Sequence, residues 1–84
     1  MKTHNIKLNI NFCDAVCKGE KTFEIRENDR GYQKGDYIKF TPVNGIGLHL
    51  YHEVEDKKYI ITYVLNGWGV KENHVVFSIK EVLK

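Results

Sequence analysis

Apolar and polar residues alternate over residues 4–9, and this period of two predicts a first strand with one face in the core. The period becomes helical from Asn11, where apolar residues follow at positions 12, 15 and 16. That spacing predicts a helix of about two turns. Asn9 or Asn11 can cap its start, and Gly19 can end it because glycine readily takes a left-handed conformation.

A second alternation runs over residues 20–27. It places Phe23 and Ile25 on one face of a strand and three polar residues on the other, namely Thr22, Glu24 and Arg26. We expect the apolar pair to anchor this strand in the core and the polar side chains to face outward.

Turn residues separate the later strands that the pattern predicts. The Asn44-Gly45 dipeptide is the commonest hairpin signal, and the glycine-flanked Trp68 lies in a loop. The β-branched and aromatic runs favour strands, and Tyr63 in one of them is expected in the core. These further strands are predicted at residues 37–41, 48–54, 58–65 and 75–79, the first ending near Pro42 and the last prolonged toward Leu83.

About six short strands and one short helix would leave exposed edges in an open sheet, and closure into a small barrel removes them. The expected fold class is therefore mainly β with a short α element, as a small β-barrel. An open α+β sheet with the helix on one face satisfies the same pattern. With 84 residues, the chain is expected to form a single domain over residues 1–84.

The composition limits the possible partners. An apolar share of 42% and a charged share of 29% are typical of a globular protein. No window approaches the ~18 apolar residues of a membrane helix, and residues 1–5 lead into no signal-peptide core, so we expect a cytoplasmic protein without membrane contact. The net charge of +2 permits nucleic-acid binding without an obvious basic stripe. The oligomeric state is left open.

The cysteines and histidines point to neither a metal nor a cofactor. Cys13 and Cys17 share one face of the predicted helix at a spacing that makes a disulfide difficult, so both are expected to be reduced. His49 and His52 have opposite parity in their predicted strand and cannot converge on one ion.

The charged segment near the second strand carries the candidate chemistry. Successive positions on one strand face are about 7 Å apart, so Glu24 and Arg26 can pair or share a ligand. Lys21 can lean over the start of the strand and place its ammonium beside the Glu24 carboxylate. Such a group could hold a phosphate or a polar base edge, although an exposed charge ladder of little energetic value has the same pattern.

Two neighbouring features are open to a functional and a structural interpretation. Trp68 could stack on a base or could form a lid over one end of the barrel. Asn28, Asp29 and Arg30 could bind a ligand or form a plain turn.

The segment Gly19-Glu20-Lys21-Thr22-Phe23-Glu24-Ile25-Arg26, followed by Asn28-Asp29-Arg30, Gly35-Asp36 and Ile61-Thr62-Tyr63-Val64-Leu65, resembles the ASCH superfamily and more closely its DUF3850 branch. The resemblance implies a PUA-like β-barrel whose cleft is proposed to bind RNA. It places Lys21, Glu24 and Arg26 in that cleft and assigns Asn28, Asp29 and Arg30 to a loop motif. RNA or a nucleotide-like ligand is the partner implied.

The resemblance also suggests an enzyme. Some ASCH proteins resemble amidohydrolases acting on acylated cytidines, with a cleft lysine and a threonine three residues later. Here Lys21 is followed by Glu24, which cannot be a hydroxyl nucleophile but could activate water as a general base. Residues 43–56 lack the branch's usual Tyr-Thr-Gly-Arg segment. A binding module is thus the first hypothesis, a hydrolase of modified nucleosides the second and a protein-interaction adaptor the third.

Overall fold

The chain forms one curled sheet with a short helix between its first two strands, as seen in a computed structural model that describes residues 1–83. The strand order is β1-β3-β4-β5-β2, and all neighbours are antiparallel except the parallel pair β1 and β3. The elements are β1 (Thr3–Asn9), α1 (Ile10–Cys17), β2 (Phe23–Glu27), β3 (Tyr37–Val43), the 3-10 helix η1 (Glu53–Asp56), β4 (Tyr59–Leu65) and β5 (His74–Glu81). The expected mainly β fold with one short helix is confirmed, with five strands instead of six.

The local signals at the start of the chain act as predicted. Alternation in β1 buries His4, Ile6 and Leu8. The Asn9 side chain caps α1 by accepting the Asn11 backbone N–H at 2.8 Å. Gly19 follows the helix with φ of +75°, a conformation that favours glycine, and turns the chain toward β2.

The core is built by every element except β2. Each fully buried aliphatic or aromatic side chain stabilises the fold by roughly 1.5–3 kcal/mol relative to exposure. The buried cluster consists of Ile6, Leu8, Cys13, Val16, Tyr32, Ile38, Phe40, Val54, Tyr59, Ile61, Val75, Phe77 and Ile79. Because β2 contributes no apolar side chain to it, this strand is held by its pairing with β5 and by polar contacts.

The sheet curls without closing, so the expected barrel is only half formed. β1 pairs with β3 alone and β2 pairs with β5 alone, which leaves one free edge on each. We call the gap between these edges, bounded by residues 5–9 and 23–27, the seam. Side chains instead of a hydrogen-bonded ladder span it, which reduces the number of unpaired edge groups without a sixth strand.

The predicted strand at residues 48–54 is wrong. Residues 46–52 pair with the end of β3 only through an isolated bridge between His49 and Val43, flanked by two backbone hydrogen bonds, and form no strand. The Asn44 side chain accepts two backbone N–H groups of the turn, those of residues 46 and 48.

The end of this segment is helical instead. The His52 side chain accepts the Val54 N–H at 2.9 Å and caps η1. Val54 is completely buried, whereas Leu48 is 60% exposed. A short apolar alternation that meets β3 only at its end therefore forms a loop followed by one helical turn.

The predicted core position of Tyr63 is also wrong, since its side chain is 62% exposed. A register shift between Ile61 and Tyr63 inserts one extra residue into β4 opposite β5. The shift returns Val64 to the core side and turns Tyr63 outward. Within residues 1–83, no helix is long and apolar enough to span a membrane.

Candidate functional site

The two faces of β2 are the reverse of those predicted. Phe23 and Ile25 are 44% and 60% exposed, whereas Glu24 is only 3% exposed. The pairing explains the inversion, because Glu24 lies opposite the buried Phe77 of β5 and Arg26 lies opposite the buried Val75. The acidic side chain therefore points into the fold and the apolar pair points outward.

Glu24 is stabilised by a cation on each carboxylate oxygen. The Lys21 ammonium donates to Oε2, and the Arg26 guanidinium donates to Oε1 through Nε at 3.0 Å and Nη2 at 2.9 Å. A buried carboxylate without such partners would cost several kcal/mol. The expected pairing of Lys21 with Glu24 is present, and the three charged side chains converge on one hollow.

Lys21 is also held by two aromatic rings. Its ammonium lies 5.4 Å from the ring centre of Phe12 in α1 and 5.0 Å from that of Phe23 in β2, and it donates to the Phe23 carbonyl at 2.8 Å. The turn at Gly19 delivers Lys21 to this position, since the backbone N–H of Lys21 bonds to the Ala15 carbonyl of α1.

Arg26 spans the seam. Its Nη2 donates to the Lys7 carbonyl of β1 at 2.5 Å while the same side chain holds Glu24. One guanidinium can do this because it offers five donors in a planar fork. Arg26 and Lys7 thereby divide the seam into two cavities, each of about 500 Å³, and both residues line each cavity.

The two cavities differ in chemistry. The aromatic half is lined by α1, β1 and β2, with Glu24 at its base and the following side chains around it: Leu8, Asn9, Phe12, Lys21, Phe23 and Ile25. The polar half is lined by Asn5, Ile6, Glu27, Asp29, Arg30, Tyr32 and Thr41. A cleft of this size that combines apolar walls with a few fixed polar groups is typical of a small-ligand site.

Tyr32 forms the inner wall of the polar half. It is 4% exposed and packs between His4 and Phe77, with ring centres 4.8 Å and 4.7 Å apart. Burial raises the pKa of Tyr32, and the nearby guanidinium groups of Arg26 and Arg30 partly oppose that rise. The phenol therefore keeps its proton at neutral pH and can donate a hydrogen bond.

The predicted loop residues lie at the edge of the site. Asp29 and Arg30 line the polar half, and their charged groups are loosely paired at 3.9 Å. Asn28 is exposed, and its N–H bonds to the Asn73 carbonyl of the loop between β4 and β5 at 2.8 Å. Trp68 belongs to that loop, is 92% exposed and lines neither half of the seam.

Cys13 and Cys17 of α1 and His52 at the start of η1 lie apart from the seam. Burial raises the pKa of Cys13 to about 11 and also raises that of Cys17, so neither thiol is activated. Since His52 Nδ1 accepts the Val54 N–H, its Nε2–H donates to the Asp14 carboxylate at 2.8 Å, and that hydrogen bond lowers the pKa of the Asp14 carboxyl. Among residues 1–83, no group of three such side chains converges on a metal position.

The residues that line the seam include Lys7, Phe12, Phe23 and Ile25, which the sequence pattern does not assign to a site. Phe23 and Ile25 are expected in the core, and Lys7 and Phe12 belong to the predicted strand and helix without a further role. A signal for this site was present in the sequence. Apolar residues flank the charged residues of β2 along the chain, and the short helix brings Phe12 close to Lys21 beside this strand.

Comparisons with known proteins support the DUF3850 part of the resemblance. The sequence profile of a family described as "Domain of unknown function (DUF3850)" matches residues 3–79. An "Uncharacterized 12.9 kDa protein in GpA 3'region" of Escherichia phage P2 is 43% identical over 37 residues, which make up 44% of this chain and 34% of that protein. The match therefore spans about a third of the length of this curated relative.

Proposed function

This chain belongs to the DUF3850 family, and we propose that its seam binds RNA or a nucleotide-derived ligand. The main support is the buried Glu24, which fixes Lys21 and Arg26 at the base of an open cleft. Holding two cations in place before the ligand arrives reduces the ordering cost of binding. We extend the proposal to the superfamily and place the half-barrel in the ASCH group of PUA-like folds.

Lys21 and Arg26 are the groups that contact the ligand. After its bonds to Glu24 and Phe23, the Lys21 ammonium retains one of its three N–H donors. Arg26 retains its Nη1 donors after its bonds to Glu24 and Lys7. These donors match phosphate oxygens and the acceptor atoms of a base edge, while Glu24 positions the pair.

The exposed rings of Phe12 and Phe23 supply the surface on which a base stacks. Both rings are about half exposed and lie on either side of the Lys21 ammonium. Stacking of a base on an aromatic side chain contributes roughly 1–3 kcal/mol and tolerates any base. A ring of this kind beside a fixed cation is the combination that single-stranded nucleic acids require.

Binding is favoured over hydrolysis by the state of Glu24. Both of its oxygens accept hydrogen bonds from cations and the side chain is 3% exposed, so a general base acting on water would first have to leave these partners. The convergence of three charged side chains on one hollow likewise favours ligand binding over an adaptor with a vestigial cleft.

Fluorescence anisotropy with labelled single-stranded RNA tests the proposal. We expect Lys21→Gln and Arg26→Gln each to weaken binding about tenfold or more, since a charge-assisted hydrogen bond is worth roughly 1.5–3 kcal/mol. Lys34→Gln is the matched control, because Lys34 is exposed and outside the seam. Phe23→Leu should also weaken RNA binding, although it does not change the charge of the protein. Its control is Ile46→Ala, a substitution at another exposed apolar residue.

Wild-type protein that binds no RNA, or equal affinities for Lys21→Gln and Lys34→Gln in folded protein, would overturn this function. Release of acid from acylated nucleosides by wild-type protein would instead establish the hydrolase alternative.

A further inference from the structure

The polar half of the seam has features of its own that point to a particular part of the ligand. Arg30 contributes a guanidinium that is 48% exposed and only loosely paired with Asp29 at 3.9 Å. Arg26 and Lys7 border the same cavity, so three basic side chains face two acidic ones, Glu27 and Asp29. The local charge is therefore slightly positive where the aromatic half ends.

Tyr32 adds a fixed neutral donor to these charges. Its side chain is 4% exposed and held by His4 and Phe77, and its hydroxyl takes part in none of the side-chain hydrogen bonds among residues 1–83. Among residues 1–83, the buried side-chain oxygen that lacks a partner is that of Tyr59, so the Tyr32 hydroxyl is open to the polar half. It can therefore donate a hydrogen bond to a ligand oxygen there.

We propose that the polar half binds a phosphate group of the ligand whose ring lies in the aromatic half, so that the ligand is a phosphorylated nucleotide lying across Arg26. This inference rests on the proposed function of the seam. Arg30 and Tyr32 hold the phosphate from the outer and inner walls, and Arg26 lies between phosphate and ring because it borders both cavities. The phosphate is either the terminal phosphomonoester of a mononucleotide or a diester within a strand.

The division of the seam supports a ligand of two unlike parts. Leu8, Phe12, Phe23 and Ile25 give the aromatic half mostly carbon walls, which suit a ring and offer few donors to a phosphate. The polar half lacks exposed aromatic rings, because Tyr32 presents a buried ring within the core cluster. A phosphate, with one negative charge as a diester and about two as a monoester, is attracted to guanidinium groups in such a site.

Calorimetric titration with each ribonucleoside, its 5′-monophosphate, a dinucleoside monophosphate and inorganic phosphate tests this inference. For wild-type protein we expect the monophosphate to bind about tenfold or more tightly than the nucleoside. This ratio should fall toward about one to three in Arg30→Gln and should decrease in Tyr32→Phe, since each loses a hydrogen bond worth roughly 1–3 kcal/mol. Phe12→Leu is the control, because it should weaken both ligands and preserve their ratio.

The outcomes separate the two proposals. The phosphate site would be overturned if wild type bound the monophosphate no more tightly than the nucleoside, or if Arg30→Gln left this affinity ratio unchanged. The proposed function would still stand in that case, provided that nucleosides or RNA bind and that Phe12→Leu weakens their binding. Absence of binding by every nucleoside, nucleotide and RNA would overturn both. A dinucleoside monophosphate that binds as tightly as the monophosphate identifies the diester as the group recognised, whereas weaker binding identifies the phosphomonoester.

Discussion

The guanidinium of Arg26 in β2 donates to the backbone carbonyl of Lys7 in β1 at 2.5 Å and so joins the two free edges of the sheet. The same group neutralises the buried Glu24. One side chain thus has two tasks in this fold, because it partly replaces the missing strand ladder and it fixes the charge arrangement of the seam.

This double role predicts a specific pattern of stabilities. Arg26→Met should lower the free energy of unfolding by about 1–3 kcal/mol, less than for a fully buried pair because Arg26 is 24% exposed. The double variant Glu24→Leu with Arg26→Met should be more stable than Arg26→Met alone, since it removes the under-compensated carboxylate. Urea denaturation at neutral pH measures the free energy of unfolding of wild type, Arg26→Met and the double variant. A double variant that is less stable than Arg26→Met would contradict the prediction.

The sequence pattern predicted most of the backbone but not the facing of β2. The alternation of Phe23 and Ile25 with Glu24 and Arg26 is a reliable strand signal, and the strand is there. The assumption that the apolar residues face inward failed because two cations compensate Glu24, which makes its burial tolerable. Since one of the two cations, Lys21, comes from the turn after α1 and lies outside the strand, the strand pattern by itself does not reveal this compensation.

The other errors also arise from tertiary context. The bulge that exposes Tyr63 depends on the register between β4 and β5, which the composition of one strand does not specify. The loop before His52 has a strand-like alternation but meets β3 only at one isolated bridge. The convergence of Lys21 with Glu24 was predictable, since it needs only the helix stop at Gly19 and the short distance to the start of β2.

Asp36 predicts how stability depends on acid. Its buried carboxylate accepts from the His4 side chain and from the N–H groups of Lys2 and Gln33. Burial works against ionisation, yet these hydrogen bonds lower the pKa of Asp36 below its usual value. The stabilisation is therefore complete above the unfolded-state pKa of about 3.9 and is lost as the pH falls through the lower folded-state value.

Asp36→Asn should accordingly reduce the free energy of unfolding by about 1–3 kcal/mol at neutral pH, because a charged acceptor with three donors is replaced by a neutral amide. The difference from wild type should stay constant down to about pH 5 and narrow below about pH 4. Denaturant unfolding across this pH range measures it. Asp56→Asn is the control, because Asp56 is exposed. A stability difference between wild type and Asp36→Asn that grows as the pH falls would contradict the prediction.

Thiol reactivity is expected to differ between the native and unfolded chain. Because burial raises the pKa of Cys13 to about 11, only about one molecule in a thousand carries the thiolate at pH 8. Cys13 is also completely buried, so in the Cys17→Ser variant Ellman's reagent should modify it only as fast as the protein unfolds. In concentrated guanidinium chloride, wild type and Cys17→Ser should both react quickly. Fast modification of native Cys17→Ser would contradict the prediction, because it would show that Cys13 is accessible.

Trp68 distinguishes a mononucleotide site from a strand-binding surface. It lines neither half of the seam, but Asn73 of the same loop accepts the Asn28 backbone N–H beside the polar half, so a strand that left this half along the loop would meet the exposed indole. Trp68→Gly should leave mononucleotide affinity unchanged and weaken binding of an oligonucleotide about tenfold, since stacking is worth roughly 1–3 kcal/mol per base.

The same substitution should not destabilise the fold, because Trp68 has φ of +55°, a left-handed conformation that costs a non-glycine residue roughly 1–2 kcal/mol. Tyr51→Gly, at another aromatic residue that is 83% exposed but remote from the seam lining, is the matched control and should leave both affinities unchanged. Equal losses for the mononucleotide and the oligonucleotide in Trp68→Gly would mean that the indole acts inside the cleft, and no loss for either would mean that the loop takes no part in binding. Either result would remove Trp68 from the strand path, because only a length-dependent loss requires a base to stack outside the seam.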